Sequence, residues 1–238
     1  MLDWLRDERP DLLALQELKT TEEDFPAGTF ADAGYEPLVH GQKTWNGVAL
    51  LSRQPLDRVE KGIPELGSDP EARVISANLK DVRIINVYVP NGAVVGSEKY
   101  VHKLRWLDAL AEHIEARFSP NDPVLIVGDF NIAPEGRDIY DPVLFRDQVL
   151  FSEPERAALK RLLDWGFVDL FRRFHDGPGL YSWWDYRAAA FRRNLGARLD
   201  LILATRPLAE RAVSCRIDVG PRRLEKTSDH TPVLATFA

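Results

Sequence analysis

The chain has 238 residues, with 31 Lys and Arg against 37 Asp and Glu, a net charge of −6, 45% hydrophobic residues and one cysteine. That balance excludes disordered and collagen-like chains, a disulfide framework, a cysteine-based zinc site and a protein that coats polyanions through overall charge. No apolar run approaches the roughly 20 residues of a membrane span and the start is no signal peptide, so a soluble cytoplasmic protein is expected.

In chain order, residues 2–8 read as a short helix with Leu2, Trp4 and Leu5 apolar and no element before it. Extended runs follow at Leu12–Leu15, Gly47–Ser52, Arg73–Leu79, Val82–Val89, Val124–Val127, Leu199–Ala204 and Val233–Phe237. Several are joined by short turns with no helix between them, which favours antiparallel pairing. Two longer helices stand out. From Lys99 to Phe118 an apolar stripe runs through Val101, Leu104, Leu107, Leu110, Ala111, Ile114 and Phe118. From Glu153 to Trp165, Ser152 and Glu155 form a capping-box pattern, Leu159, Leu162 and Leu163 make the buried face, and Gly166 stops the helix. No linker or repeat interrupts the chain, so one α/β domain over 1–238 with mixed, mostly antiparallel sheets is predicted.

Four apolar runs end in polar residues, the way a sheet delivers reactive groups to its rim. Leu12 to Leu15 leads to Gln16-Glu17, whose carboxylate suits a hard cation or is a solvated strand end. Val82 to Val89 carries Tyr88 and leads to Pro90-Asn91-Gly92, where a phenol and an amide can meet a phosphate or merely fill a core and a turn. Val124 to Val127 stops at Gly128-Asp129-Phe130-Asn131, an acid and an amide two apart that suit holding and activating water; a plain Asx turn is the rival. Thr227-Ser228-Asp229-His230 offers a metal ligand and a group that binds phosphate or moves a proton. Asp200 lies inside an apolar run, where an acid needs a partner: His230, whose tautomer it would fix, or Arg198.

The segment Tyr181-Ser182-Trp183-Trp184-Asp185-Tyr186-Arg187, followed by Phe191-Arg192-Arg193-Asn194, interleaves aromatic rings and arginines as a nucleic-acid surface does. Strand alternation would send Trp183 and Trp184 to opposite faces, leaving one in the core. The pairs Arg172-Arg173, Arg192-Arg193 and Arg222-Arg223 would add a positive footprint or are solvated charge.

In this order, Leu-Gln-Glu, Tyr-Val-Pro-Asn-Gly, Gly-Asp-Phe-Asn, Arg-Leu-Asp and Ser-Asp-His resemble the exonuclease III family within the endonuclease/exonuclease/phosphatase superfamily, and the Trp-Trp-Asp-Tyr-Arg segment favours its bacterial DNA-repair branch. The resemblance implies a four-layered α/β sandwich and hydrolysis of DNA phosphodiesters with Mg²⁺ or Mn²⁺. The implied substrates are double-stranded DNA with abasic sites, cut on the 5′ side, and 3′ ends, degraded or cleaned, by a monomer. It implies Glu17 and Asp229 as metal ligands, with Asp129, Asn131 and His230 beside the metal. Asp129 would orient or deprotonate the attacking water, Asn131 would help position water and phosphate, and Tyr88 and Asn91 would contact the phosphate. His230, paired with Asp200, would hold the scissile phosphate and stabilise transition-state charge. Trp183 and Leu199 match positions lining a pocket for a flipped-out abasic sugar, and Arg187 and Arg192 would contact DNA. The family begins with a core strand ending in Asn-x-Asn that this sequence does not contain, so an N-terminally truncated domain without its first strand is expected. Ala197 stands where some relatives carry a larger side chain. The alternatives are a superfamily phosphatase or phosphodiesterase acting on a small molecule or lipid headgroup, and an inactive truncated form that binds DNA.

Overall fold

Residues 2–8 form the expected helix α1 (Leu2–Glu8), closed by Arg9 in the left-handed conformation, and the next apolar run forms β1 (Leu12–Leu15). The structure, a computed structural model, describes residues 1–67 and 70–238. They form two compact units, Met1–Tyr88 with Pro123–Gly128, and Val89–Asp122 with Asp129–Ala238.

The first unit continues with α2 (Ala27–Asp32), β2 (Glu36–His40), β3 (Val48–Ser52), β4 (Asp57–Lys61), β5 (Val74–Leu79), β6 (Val82–Tyr88) and β7 (Val124–Asp129). One sheet has the order β1-β3-β2, both pairs antiparallel, with Leu51 opposite Leu13 and Pro37. Its central strand β3 is buried along its whole length, and each such Val or Leu contributes about 1.5–3 kcal/mol by leaving water. Leu5, Phe25, Phe30, Tyr35, Val39, Ala49 and Leu51 close one face of this sheet into a core. The strands β4, β5, β6 and β7 are neighbours in that order in a second sheet. Buried Asn86 of β6 donates to the carbonyls of Leu15 (2.9 Å) and Ala49 (3.0 Å) and accepts from Gln16 Nε2 (2.7 Å), which fixes the end of β1. Four strands escape the apolar-run reading. β2 contains Pro37, β4 reads Asp-Arg-Val-Glu-Lys, and β8 and β10 of the second unit are short or largely exposed.

The second unit holds α3 (Glu98–Arg117), α4 (Glu153–Trp165), β8 (Phe167–Asp169), α5 (Leu170–Phe174), α6 (Ala190–Arg193), β9 (Asp200–Thr205), α7 (Arg206–Glu210), β10 (Ala212–Ile217) and β11 (Val233–Phe237). The pairs β8–β9 and β10–β11 are antiparallel. Helix α3 starts at Ser97, whose Oγ accepts from Tyr100 N–H (3.2 Å), and α4 starts in the expected capping box of Ser152 and Glu155. The buried face of α3 differs from the predicted stripe: Val101 is 42% exposed, whereas Lys103 and Trp106 are fully buried. An apolar count assigns every lysine to the surface, but Lys103 meets a buried carboxylate, Glu155 of α4.

Candidate active site

In the first unit, β1 delivers Glu17 at its end. Glu17 and Lys19 both have positive φ (53° and 54°), and the loop is anchored by Leu18 N–H on Gly47 O (3.1 Å) and Lys19 N–H on Asn46 O (2.9 Å). The carboxylate accepts from the Tyr88 hydroxyl (2.5 Å) and pairs with Lys19 Nζ (2.9 Å). Arg73 lies over the Tyr88 ring (4.9 Å) and donates to the Tyr88 carbonyl (3.2 Å), fixing the phenol from behind.

In the second unit the strand-end groups converge. Gly128, the last residue of the first unit (φ 132°), has no room for a side chain, since a Cβ would stand 2.0 Å from Val87 O, and Asp129 follows it in the chain. Asn131 adopts a left-handed conformation (φ 50°), and the expected Asx turn forms together with a side-chain contact between the acid and the amide. Asp129 Oδ1 accepts from Asn131 N–H (2.8 Å) and Oδ2 from Asn131 Nδ2 (3.0 Å). Asn131 Nδ2 also donates to Val89 O (3.0 Å), and Asn131 Oδ1 accepts from Asn91 Nδ2 (3.0 Å). His230 Nδ1–H donates to Asp200 Oδ2 (2.8 Å), while Nε2 stands 3.9 Å from Asp129 Oδ2, an ion-pair contact rather than a hydrogen bond. Burial opposes the charge on His230, but the carboxylates of Asp200, Asp129 and Asp229 outweigh it and lift its pKa to about 10. The ligand atoms of Asp129, Asp200 and His230 all lie within 4.8 Å of one another, a set able to hold a cation among the described residues.

Asp200 is left to His230 because the rival partner is taken. Arg198 is fully buried and bonds Asp138 (2.6 Å) and Asp169 (2.7 Å), which holds its pKa above the usual arginine value despite its burial. Ser182 Oγ accepts from the amides of Leu199 (3.0 Å) and Asp200 (3.1 Å), setting the start of β9. Asp229 accepts from Trp183 Nε1 (3.0 Å). As alternation predicted, the two tryptophans part. Trp184 is buried against Tyr181 and Phe191, and Trp183 is half-buried.

Two expectations need correction. Leu199 is 1% exposed, packed with Ala133, Ile139, Leu150, Phe151 and Ala197 against Trp183, so it supports the tryptophan and offers no contact surface of its own. Arg172 is not part of a positive footprint; its guanidinium is committed to Asp138 (2.5 Å) and to the carbonyls of His175 and Gly177. Arg192 is exposed, and Arg187 is exposed and paired with Asp185 (2.6 Å). Trp45, which no sequence motif singled out, is 77% exposed with φ 62° in Lys43-Thr44-Trp45-Asn46. The sequence reading also missed Arg73 and Lys103.

These strand-end groups belong to an α/β fold shared with DNA-processing enzymes. The solved structure of a Neisseria 3′ phosphatase bound to product DNA hairpin is 41% identical, covers 99% of this chain and 92% of that one, and superposes with a TM-score of 0.95. An AP endonuclease from Archaeoglobus fulgidus is 40% identical over 100% of this chain and 92% of that one, also with a TM-score of 0.95. The profile of the endonuclease/exonuclease/phosphatase family matches residues 1–230, and the chain belongs to that family. Among relatives, exodeoxyribonuclease III of Haemophilus influenzae is 36% identical over 241 residues, 96% of this chain and 90% of that protein. An exodeoxyribonuclease of Bacillus subtilis is 34% identical over 98% of this chain and 90% of its own length.

Proposed function

We propose that the protein is a metal-dependent DNA-repair nuclease that incises duplex DNA on the 5′ side of abasic sites and degrades or cleans 3′ ends. The observation that carries the reading is the convergence of Asp129, Asn131, Asp200 and His230, a fixed acid, amide and charged imidazole. Relatives named exodeoxyribonuclease III and AP endonuclease supply the substrate class, and the 3′ phosphatase at 41% identity favours 3′-end cleaning as one of its activities.

Within the second unit, the carboxylate oxygens of Asp129 and Asp200 with the imidazole of His230 and no thiolate suit a hard divalent cation. From the family resemblance we assign Glu17, Asp129, Asn131, Asp229 and His230 to the metal; Mg²⁺ or Mn²⁺, when bound, would supply Lewis-acid polarisation of a phosphoryl oxygen. The remaining work falls to the chain. Asn131 orients the attacking water, Asp129 takes its proton as the water oxygen bonds phosphorus, and the bond from phosphorus to the 3′ oxygen breaks, that oxygen leaving as a hydroxyl with a proton from solvent. His230 donates Nε2–H to a nonbridging phosphate oxygen and stays charged because Asp200 holds its other nitrogen. Tyr88 and Asn91 donate to the phosphate, the phenol leaving Glu17 to do so. Trp183 meets the extruded sugar with Leu199 packed against it, and Arg187 and Arg192 hold the duplex. The protein acts as a cytoplasmic monomer.

The test is a duplex with one abasic site, incubated with the chain and Mg²⁺ or EDTA. Metal-dependent cutting on the 5′ side with a 3′-hydroxyl product supports the reading. A folded protein that leaves this duplex and a 3′-phosphate end untouched overturns it.

A further inference from the structure

Helix α3 buries a lysine completely. The ammonium of Lys103 donates to Asn131 O (2.7 Å), to Asn91 O (3.1 Å) and to Glu155 Oε1, so its three protons have three acceptors. Glu155 is equally committed: Oε1 also accepts from Leu150 N–H (3.2 Å), and Oε2 from Ser152 N–H (3.0 Å) and Oγ (2.5 Å). The lysine stem lies against Gly92, where a Cβ would come within 3.0 Å of Lys103 Cδ. Ser97, the cap of the same helix, bonds Gly92 O through its hydroxyl (3.1 Å).

A buried ion pair is weak as a stabilising device, because desolvating both charges offsets most of their attraction. Its placement supplies the missing reason. Both carbonyls that Lys103 grips belong to asparagines whose side chains bond each other, and one of these bonds the Asp129 carboxylate. Lys103 holds the Asn131 carbonyl (2.7 Å), the same residue whose side-chain amide donates to Asp129 (3.0 Å).

We propose that Lys103, charge-balanced by Glu155, is a positioning residue that sets the spacing of Asn91 and Asn131 and so the orientation of the Asp129 carboxylate. This inference rests on the nuclease reading for what the positioned groups do. It does not rest on it for the geometry. Lys103 touches neither substrate nor metal. It acts through two main-chain carbonyls from beneath the loops.

The experiment compares Lys103→Met, Lys103→Gln and Leu107→Ala, the last removing a buried contact one turn along α3. Single-turnover incision of an abasic duplex should fall about 10²-fold in kcat for Lys103→Met, the order of loss expected from a small misplacement of reacting groups, with KM held within about threefold. Lys103→Gln keeps amide donors and should regain part of that loss. Leu107→Ala should match Lys103→Met in melting temperature change while holding its kcat within about threefold of the parent. A second readout needs no turnover: the side-chain amide signals of Asn91 and Asn131 in ¹H–¹⁵N NMR should shift and lose exchange protection in Lys103→Met and persist in Leu107→Ala. If Lys103→Met gives no cooperative melt, Lys103→Gln takes both readouts. Unchanged kcat and unchanged amide signals in a folded Lys103 variant overturn the proposal, as does an equal kcat loss in Leu107→Ala. An inactive parent protein overturns the nuclease reading alone, and the amide signals still decide the positioning role.

Discussion

The two units carry their polar clusters in different states. In the first, the Glu17 side chain is 39% exposed and Lys19 54%, and the carboxylate accepts from the Tyr88 phenol and pairs with the Lys19 ammonium. In the second, Asp129 is 5% exposed and its two oxygens are fixed by the backbone and side chain of a single asparagine, itself held from two further directions. A solvated carboxylate with exchangeable partners suits a ligand that comes and goes. A carboxylate locked by short-range hydrogen bonds suits a group that must already point the right way when a reaction begins. Under the proposed function, the contrast would divide labour: metal capture by the more exposed cluster, proton handling and charge stabilisation by the buried one.

The sharpest way to break that division is Asp129→Asn. It keeps the shape and one of the two hydrogen bonds accepted from Asn131 but removes the proposed base, and incision should drop by about 10³-fold with duplex affinity unchanged by gel shift or anisotropy. A rate within tenfold of the parent would move the chemistry elsewhere. Glu17→Gln should cost less. Loss of even a supporting partner of a metal ligand lowers metal affinity about 10–100-fold, and the rate at limiting Mg²⁺ should fall in that range.

Rigidity of the second unit has its own test in Asp138. This fully buried carboxylate joins Arg198 and Arg172, and through Arg198 it fixes the entry to Asp200. Asp138→Ala leaves buried Arg198 short of a partner, a loss of about 3–5 kcal/mol. At roughly 2–4 °C per kcal/mol for a chain of this size, the melting temperature should fall by about 10 °C. A shift under 2 °C by calorimetry would show that the network carries no strain of charge. The smallest expected effect is a titration. In protein kept metal-free with EDTA, the His230 imidazole should remain protonated well above neutral pH, its pKa near the raised value of about 10. Asp200→Asn should lower that pKa by about 1–3 pH units, read from imidazole chemical shifts. The raised pKa has a definite sign for stability: the contribution is complete below the ordinary histidine value of 6.5 and is lost as pH rises toward 10. An ordinary histidine titration in the parent would contradict the pairing.

Much of this arrangement was legible in the residues. Strands made of apolar runs, such as β3 and β7, announce themselves because burial on both faces demands near-continuous hydrophobicity. Polar residues at their ends marked Glu17, Tyr88 and Asp129, and the acid inside Arg198-Leu199-Asp200 required a partner, which is His230. Edge strands were not legible, because β4 exposes charged residues and β2 holds a proline, patterns shared with loops. Nor was non-local pairing. Arg172 looks like surface charge until Asp138, 34 positions away, folds onto it. Lys103 looks like the polar face of a helix until Glu155, 52 positions away, arrives beside it. Trp45 fails in the opposite direction, a ring that composition would bury and the structure exposes.

The division of labour is tested most directly by measuring single-turnover incision of an abasic duplex across a Mg²⁺ titration for the parent, Glu17→Gln and Asp129→Asn. The account predicts that Glu17→Gln climbs toward the parent rate as Mg²⁺ rises, because it lacks affinity and not chemistry, while Asp129→Asn saturates with Mg²⁺ at a rate about 10³-fold lower. Recovery of Asp129→Asn at high Mg²⁺, with Glu17→Gln flat, would contradict it.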